Sequence, residues 1–150
     1  MDPSFNEVWK RINAVQPANE VNQLLEFLSE EHESAKEYRR LASCTGSVRA
    51  KKLFLSLSEE EKEHAKRLQT AAYMLKGVES AAGKNPPTAG CGRMLDAIRK
   101  QFNRERKCAD AYAEAAAGIR NDQLRRLYSE LAMREKEHCA TLWELIRAMM

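Results

Sequence analysis

The sequence has few helix-breaking residues and no long apolar run. Its four prolines and six glycines fall mostly near residue 17, around Gly46, between Gly77 and Gly92, and at Gly118. Because proline and glycine interrupt regular structure, they divide the chain into one short and four long segments. No stretch approaches the roughly 20 apolar residues that span a bilayer, and no apolar run follows basic residues at the N-terminus. We therefore expect a soluble, cytoplasmic protein with no membrane partner.

The charge balance does not favour a nucleic-acid partner. The chain has 25 Lys and Arg against 22 Asp and Glu, which gives a net charge of +3. The basic residues are scattered among acidic ones on helix faces rather than gathered into one stripe. This pattern is typical of a solvated helix surface and not of a nucleic-acid groove.

The cysteines do not form a recognisable metal or disulfide pattern. No two of them have the C-x-x-C spacing of a zinc or iron knuckle, and their wide separation differs from that of small secreted disulfide domains. We therefore predict four free thiols at Cys44, Cys91, Cys108 and Cys139.

Apolar residues recur every three or four positions in each segment, which predicts α-helices. The short segment, about residues 3–15, should be an amphipathic helix that packs on the bundle or on a second subunit. The long helices should cover about residues 19–43, 47–76, 94–117 and 122–149. At 150 residues, one domain with a single core is expected.

Each long helix places polar residues on its buried stripe. A carboxylate buried without a partner costs several kcal/mol, which is on the order of the stability of a small domain. Some group must therefore compensate these side chains. They are Glu31, Glu61, Glu105 and Glu135, joined by His64 and His138 one turn after the second and fourth of them.

The two halves of the chain repeat each other. A shift of 74 positions takes Glu31 to Glu105 and Tyr38 to Tyr112, and it takes the "EKEH" at 61–64 to the "EKEH" at 135–138. Such internal repetition indicates two copies of one supersecondary unit. Here the unit is an αα-hairpin.

Simple geometry brings the four glutamates to one level. If the helices of each hairpin are antiparallel, Glu31 and Glu61 lie side by side when the turn is centred on Gly46. Glu105 and Glu135 do so when the second turn is centred on residue 120. Both centres coincide with the breaks in the sequence.

The segment between the hairpins is long enough to return along the bundle. Residues 78–91 can extend about 46–50 Å, whereas a 30-residue helix is about 45 Å long. Such a crossover relates the hairpins by a two-fold axis. We predict an all-α, antiparallel four-helix bundle over residues 19–150, with residues 1–18 forming a short N-terminal helix and linker.

The converging side chains form a recognisable metal site. One Glu from each of two helices and a Glu-x-x-His from each of the others can hold two ions in a bundle core. Residues i and i+3 are neighbours on a helix, and four carboxylates offset two divalent cations. Oxygen-rich ligation with one imidazole per ion suits iron or manganese better than structural zinc. A single E-x-x-H would be a weak signal, but two copies with upstream glutamates are specific.

Two tyrosines follow the upstream glutamates. Tyr38 and Tyr112 lie about 10 Å along the helix axis from Glu31 and Glu105, level with aromatic residues of the neighbouring helices. Core packing is therefore favoured over a hydrogen bond near the metal or an electron relay.

The paired "EKEH" motifs with upstream Glu31 and Tyr38, and Glu105 and Tyr112, resemble the rubrerythrin-like branch of the ferritin-like di-iron proteins. The resemblance covers about residues 20–149. It implies a ferritin-like bundle whose two iron ions reduce hydrogen peroxide or dioxygen, or oxidise ferrous iron, and so protect against oxidative damage. Manganese or zinc are the expected substitutes. The implied ligands are Glu31, Glu61, His64, Glu105, Glu135 and His138, with Glu61 and Glu135 as bridges.

Two departures from that family bear on mechanism. Rubrerythrins proper carry a rubredoxin-like domain with two C-x-x-C pairs, which this sequence lacks, so electrons are expected from a separate donor protein. Rubrerythrins also have a further Glu three residues after the third-helix ligand, where this chain has Cys108. Ligation, reaction with peroxide and packing remain open for Cys108, and packing is favoured because small buried cysteines are common.

Three functions are consistent with the sequence. The first is a di-iron oxidoreductase that reduces peroxide or dioxygen. The alternatives are a ferroxidase that handles iron within an oligomer, and a non-catalytic bundle stabilised by metal. A homodimer or higher homo-oligomer is expected in each case.

Overall fold

A computed structural model describes the backbone of residues 3–76 and 90–150, and the side chains of residues 19–75 and 90–150. These ranges contain four helices and no strand. None of the helices within them is long and apolar enough to cross a bilayer. The predicted all-α four-helix bundle is confirmed. Its helices are α1 (Pro3–Cys44), α2 (Val48–Lys76), α3 (Met94–Gly118) and α4 (Asp122–Met149).

The helices pack as two hairpins, α1 with α2 and α3 with α4. The hairpins meet through α1 against α3 and α2 against α4. Glu31 of α1 contacts Tyr112 of α3, and Tyr38, further along α1, contacts Glu105, which comes earlier in α3. Helices α1 and α3 therefore run in opposite directions. Since α1 and α2 are also antiparallel, α2 and α3 run the same way. This is the direction that the two-fold arrangement predicts, although residues 77–89 of the crossover lie outside the described residues.

Both hairpin turns end in a residue that caps the next helix. The Ser47 hydroxyl accepts a hydrogen bond from the Ala50 N–H at 3.2 Å. The Asn121 side chain accepts one from the Leu124 N–H at 3.1 Å. Each satisfies a main-chain donor that a helix start otherwise leaves unpaired. These caps fix the two turns at the positions that bring the four glutamates to the same level of the bundle.

The predicted break near Pro17 is not found. Helix α1 continues without interruption from Pro3 to Cys44, so a separate N-terminal helix over residues 1–18 is wrong. A proline removes one main-chain hydrogen bond and disfavours the preceding turn, but it can bend a helix without ending it.

Two apolar clusters lie on either side of a polar layer in the middle of the bundle. The first apolar cluster, near the α1–α2 turn, includes Leu41, Phe54, Leu57, Ile98, Leu142 and Ile146. The second apolar cluster, near the α3–α4 turn, includes Leu24, Leu28, Leu68, Tyr128 and Leu131. Because apolar side chains fill both ends, the polar layer is shielded from water along the bundle axis.

A disulfide joins the end of α1 to the residues before α3. Cys44 and Cys91 are bonded, with their Cα atoms 5.5 Å apart, so the prediction of four free thiols is wrong for this pair. Cys108 and Cys139 are free. The spacing of cysteines along the chain cannot reveal this pair, because only the folded chain brings Cys91 beside the end of α1.

Candidate metal centre

All six predicted side chains meet in the polar layer. Each of their residues is at most 6% exposed. They form two groups of four, and within each group one ligand atom from every residue lies within 4.8 Å of the others. The first group is Glu31, Glu61, His64 and Glu135, and the second is Glu61, Glu105, Glu135 and His138. Glu61 and Glu135 belong to both groups, which is the placement expected of bridging carboxylates.

The two imidazoles face each other across the centre. Their rings are nearly parallel, with centroids 5.7 Å apart, and each directs Nδ1 toward the carboxylates. His64 Nδ1 lies 3.2 Å from Glu135 Oε1 and 3.5 Å from Glu31 Oε2. The spacing of three residues in each "EKEH" places Glu and His on adjacent turns of one helix face. A single helix therefore supplies two neighbouring ligand atoms.

Several buried polar atoms in the centre make no hydrogen bond. His138 Nδ1 lies 2.7 Å from Glu61 Oε1 and 3.3 Å from Glu135 Oε2, yet the geometry gives it no hydrogen-bond partner. Buried polar atoms without partners are rare and costly. A ring nitrogen that lies among carboxylate oxygens without a hydrogen bond to any of them is placed where it could bind a cation. The other unpartnered oxygens here are Glu31 Oε2, both oxygens of Glu61, and Glu135 Oε2.

The electrostatics of the centre also favour a cation. Burial, followed by the charge of Glu31, raises the pKa of Glu61 to about 7, and burial raises the pKa of Glu31 as well. Burial disfavours the charged forms of His64 and His138, but the surrounding carboxylates outweigh it and raise the pKa of both imidazoles. The metal-free centre therefore retains protons that bound metal would displace.

The donor set fits two divalent ions. Four carboxylates supply four negative charges, which two divalent cations neutralise without further charged residues. Oxygen donors with one imidazole in each group suit iron or manganese and leave zinc as a substitute. The residues present therefore fit the metal pair that the sequence predicts.

The two tyrosines do more than fill the core. Both are buried, and burial raises the pKa of each phenol well above its usual range, so each remains a proton donor. Tyr112 donates to Glu31 Oε1 at 2.5 Å, and Tyr38 donates to Glu105 Oε1 at 3.1 Å. The preference for core packing alone is therefore wrong. Each tyrosine reaches across to the glutamate of the other hairpin and fixes its orientation.

Three neighbours of the centre were not predicted from the sequence. Ser34 and Gln101 are buried and donate to Glu105 Oε1 at 2.6 and 2.8 Å. Glu60 is half exposed, and its Oε2 lies 2.5 Å from His138 Nε2. Ser34 and Gln101 follow the helical spacing of the inward stripe, which could have revealed them. Glu60 lies on an exposed face, and no feature of the sequence marks it.

Cys108 lies at the edge of the centre and packs against the second apolar cluster. It is partly buried, and burial, followed by the charge of Glu31, raises the pKa of its thiol to about 12. The side chain is therefore a neutral thiol at pH 7, which is a poor nucleophile. This agrees with the packing role that the sequence favoured.

The two tyrosine hydrogen bonds should contribute unequally to stability. Tyr112→Phe removes the donor to Glu31 Oε1 and should cost about 1.5–3 kcal/mol, the usual range for a hydrogen bond to a charged group. Tyr38→Phe should cost less, because Ser34 and Gln101 still donate to the same oxygen of Glu105. Urea unfolding of the metal-free variants measures both values. Equal losses would contradict the unequal contributions, and no loss in either variant would show that the tyrosines act by packing rather than through their hydroxyls.

Comparison with known proteins gives a similarity of structure. No protein-family model and no curated protein matches the chain. Among solved structures, the chain is similar to a hypothetical protein from Pyrococcus furiosus, with a TM-score of 0.71 and 26% sequence identity. The similarity covers 86% of this chain and 91% of that chain. It supports the helical architecture, while the indications of function come from the residues of the centre.

Proposed function

We propose that this protein is a non-haem di-iron oxidoreductase of rubrerythrin-like type that reduces hydrogen peroxide or dioxygen. The observation that carries the proposal is the buried centre of four glutamates and two histidines, in which both oxygens of Glu61, one oxygen each of Glu31 and Glu135, and His138 Nδ1 make no hydrogen bond. A structural zinc site usually has four protein ligands and no open position, whereas a catalytic site keeps a position for water or substrate. Here two carboxylates shared between two groups favour a pair of ions rather than one.

The chemistry of the reaction would come from the bound metal. Two ferrous ions can supply the two electrons that convert one peroxide, with two protons, to two molecules of water. The protein contributes geometry and a dry environment. Tyr112 and Tyr38 hold Glu31 and Glu105 in fixed orientations, and the two apolar clusters exclude water along the bundle axis.

The proposal includes a source of electrons outside the chain. After each turnover the centre must be reduced again, and the glutamates and histidines that form it are not electron carriers. We therefore propose a separate donor protein. A homo-oligomer belongs to the same proposal.

Peroxide consumption tests the proposal directly. The full chain loaded with ferrous iron and supplied with a chemical reductant should consume peroxide over many turnovers, measured by loss of peroxide against reductant oxidised. Glu135→Ala removes a carboxylate common to both groups and should abolish turnover. Glu137→Ala is the matched control, because Glu137 is exposed two residues away and pairs with Arg134.

Two results would contradict the proposal. If peroxide consumption in the Glu135→Ala protein equals that of the unaltered chain, the centre is not the site of reaction. If the iron-loaded protein oxidises ferrous iron and accumulates a mineral but does not turn over peroxide, the ferroxidase alternative holds instead.

A further inference from the structure

The internal repeat allows the surroundings of the two metal-ligand groups to be compared residue by residue. Glu31 and Glu105, like His64 and His138, differ by 74 positions. The same shift relates three pairs of neighbours whose chemistry differs between the halves. These pairs are Ser34 with Cys108, Phe27 with Gln101, and Glu60 with Arg134.

The first two pairs surround the glutamates. Glu105 Oε1 accepts hydrogen bonds from Ser34, Gln101 and Tyr38, which leaves Oε2 directed toward His138 at 3.7 Å. Three donors on one oxygen hold this carboxylate in a single orientation.

The corresponding surroundings of Glu31 are less polar. Glu31 Oε1 accepts a hydrogen bond from Tyr112, but the equivalents of Ser34 and Gln101 are Cys108 and Phe27. A thiol is a weak donor and a phenyl ring has none. Phe27 instead stacks on Tyr112, with ring centroids 4.2 Å apart. The orientation of Glu31 is therefore fixed by fewer hydrogen bonds.

The third pair surrounds the histidines. Glu60 Oε2 lies 2.5 Å from His138 Nε2, so when Nδ1, the atom that faces the carboxylates, gives up its proton to bind an ion, Nε2 keeps its proton and donates it to Glu60. A carboxylate on the outer nitrogen fixes the tautomer of a metal-binding histidine and increases its basicity. The residue 74 positions after Glu60 is Arg134, whose guanidinium has donors only and pairs with Glu137 at 3.0 Å.

From these differences we propose that the two ion positions are unequal. The His138 position, formed by Glu61, Glu105, Glu135 and His138, binds its ion first and tightly. The His64 position, formed by Glu31, Glu61, His64 and Glu135, binds the second ion weakly and exchanges it. This inference rests on the metal binding in the proposed function but not on redox chemistry.

Calorimetric titration of the metal-free full chain with Zn²⁺ tests the inference without any redox reaction. The isotherm should show two steps, with dissociation constants at least about 10-fold apart, since outer partners of metal ligands typically change affinity by about 10- to 100-fold. Glu60→Gln should weaken the tighter step by about that factor. Arg134→Gln is its repeat-equivalent control and should leave both steps unchanged.

Variants of the two histidines show which ion position gives the tight step and which gives the weak step. His64→Ala should retain the tight step and lose the weak one, and His138→Ala should lose the tight step. Circular dichroism checks that each variant is folded. Glu60→Gln also tests whether the tight step belongs to the His138 position, and it changes a half-exposed side chain rather than a buried one.

The possible failures are distinct. Two ions bound with equal affinity, or a tight step that survives in both His138→Ala and Glu60→Gln, would overturn the inference and leave the proposed function standing. Absence of Zn²⁺ binding would overturn the metal centre itself, and the inference with it.

Discussion

Glu61→Leu should make the metal-free protein more stable and at the same time abolish its response to metal. Both carboxylate oxygens of Glu61 are buried without hydrogen bonds, so the side chain destabilises the fold until a cation is bound. A buried polar group without a hydrogen bond costs about 1–3 kcal/mol, and leucine does not incur this cost. For a chain of this size, the avoided cost corresponds to a rise in melting temperature of roughly 2–12 °C.

The unaltered chain should behave in the opposite way. An ion at a hundredfold excess over its Kd stabilises a protein by about 2.7 kcal/mol, which is roughly 5–10 °C here. Thermal unfolding with and without Mn²⁺ or Zn²⁺ measures both effects. Glu63→Leu is the control, because Glu63 is exposed on the same helix and should preserve the metal response. If Glu61→Leu destabilises the metal-free protein by several kcal/mol, the carboxylate is part of a structural ion pair instead.

Reduction of the Cys44–Cys91 disulfide should produce the other large change. The bond joins two residues that are 47 positions apart in the sequence, and it closes a loop that contains α2 and the crossover. The chain-entropy relation gives about 4 kcal/mol for a loop of that length, or a fall in melting temperature of roughly 8–16 °C. Cys44→Ser should have a similar effect.

Reductant offers an internal control for this prediction. It should lower the melting temperature of the unaltered chain and of Cys139→Ser, since Cys139 is free, but it should not affect Cys44→Ser. A melting temperature that is the same with and without reductant in the unaltered chain would show that the disulfide does not constrain the unfolded state.

Much of the fold follows from local rules that sequence alone can apply. Helical periodicity predicted α4 at Asp122–Met149, as the structure has it, because an apolar stripe and a capping Asn121 both act within a few residues. The inward placement of Glu61 and His64 followed from the same periodicity. Antiparallel pairing about Gly46 then brought Glu31 to their level, which required no knowledge of side-chain packing.

Contacts between the hairpins could not be predicted in the same way. Tyr112 reaches Glu31 across the α1–α3 contact, and its hydroxyl position depends on the distance between those helices. Glu60 is half exposed, and only the approach of α4 places His138 beside it. The Cys44–Cys91 bond depends on the path of the chain before α3. Local patterns carry no information about such distances.

Anomalous diffraction from crystals of the iron-loaded full chain tests the central claim most directly. Data collected on either side of the iron absorption edge should show two peaks per chain in the polar layer, about 3.5–4 Å apart as in other two-metal sites. One peak should lie against His64 and the other against His138, with Glu61 and Glu135 between them. Absence of iron at this place, with the six side chains bonded only to one another, would contradict the account.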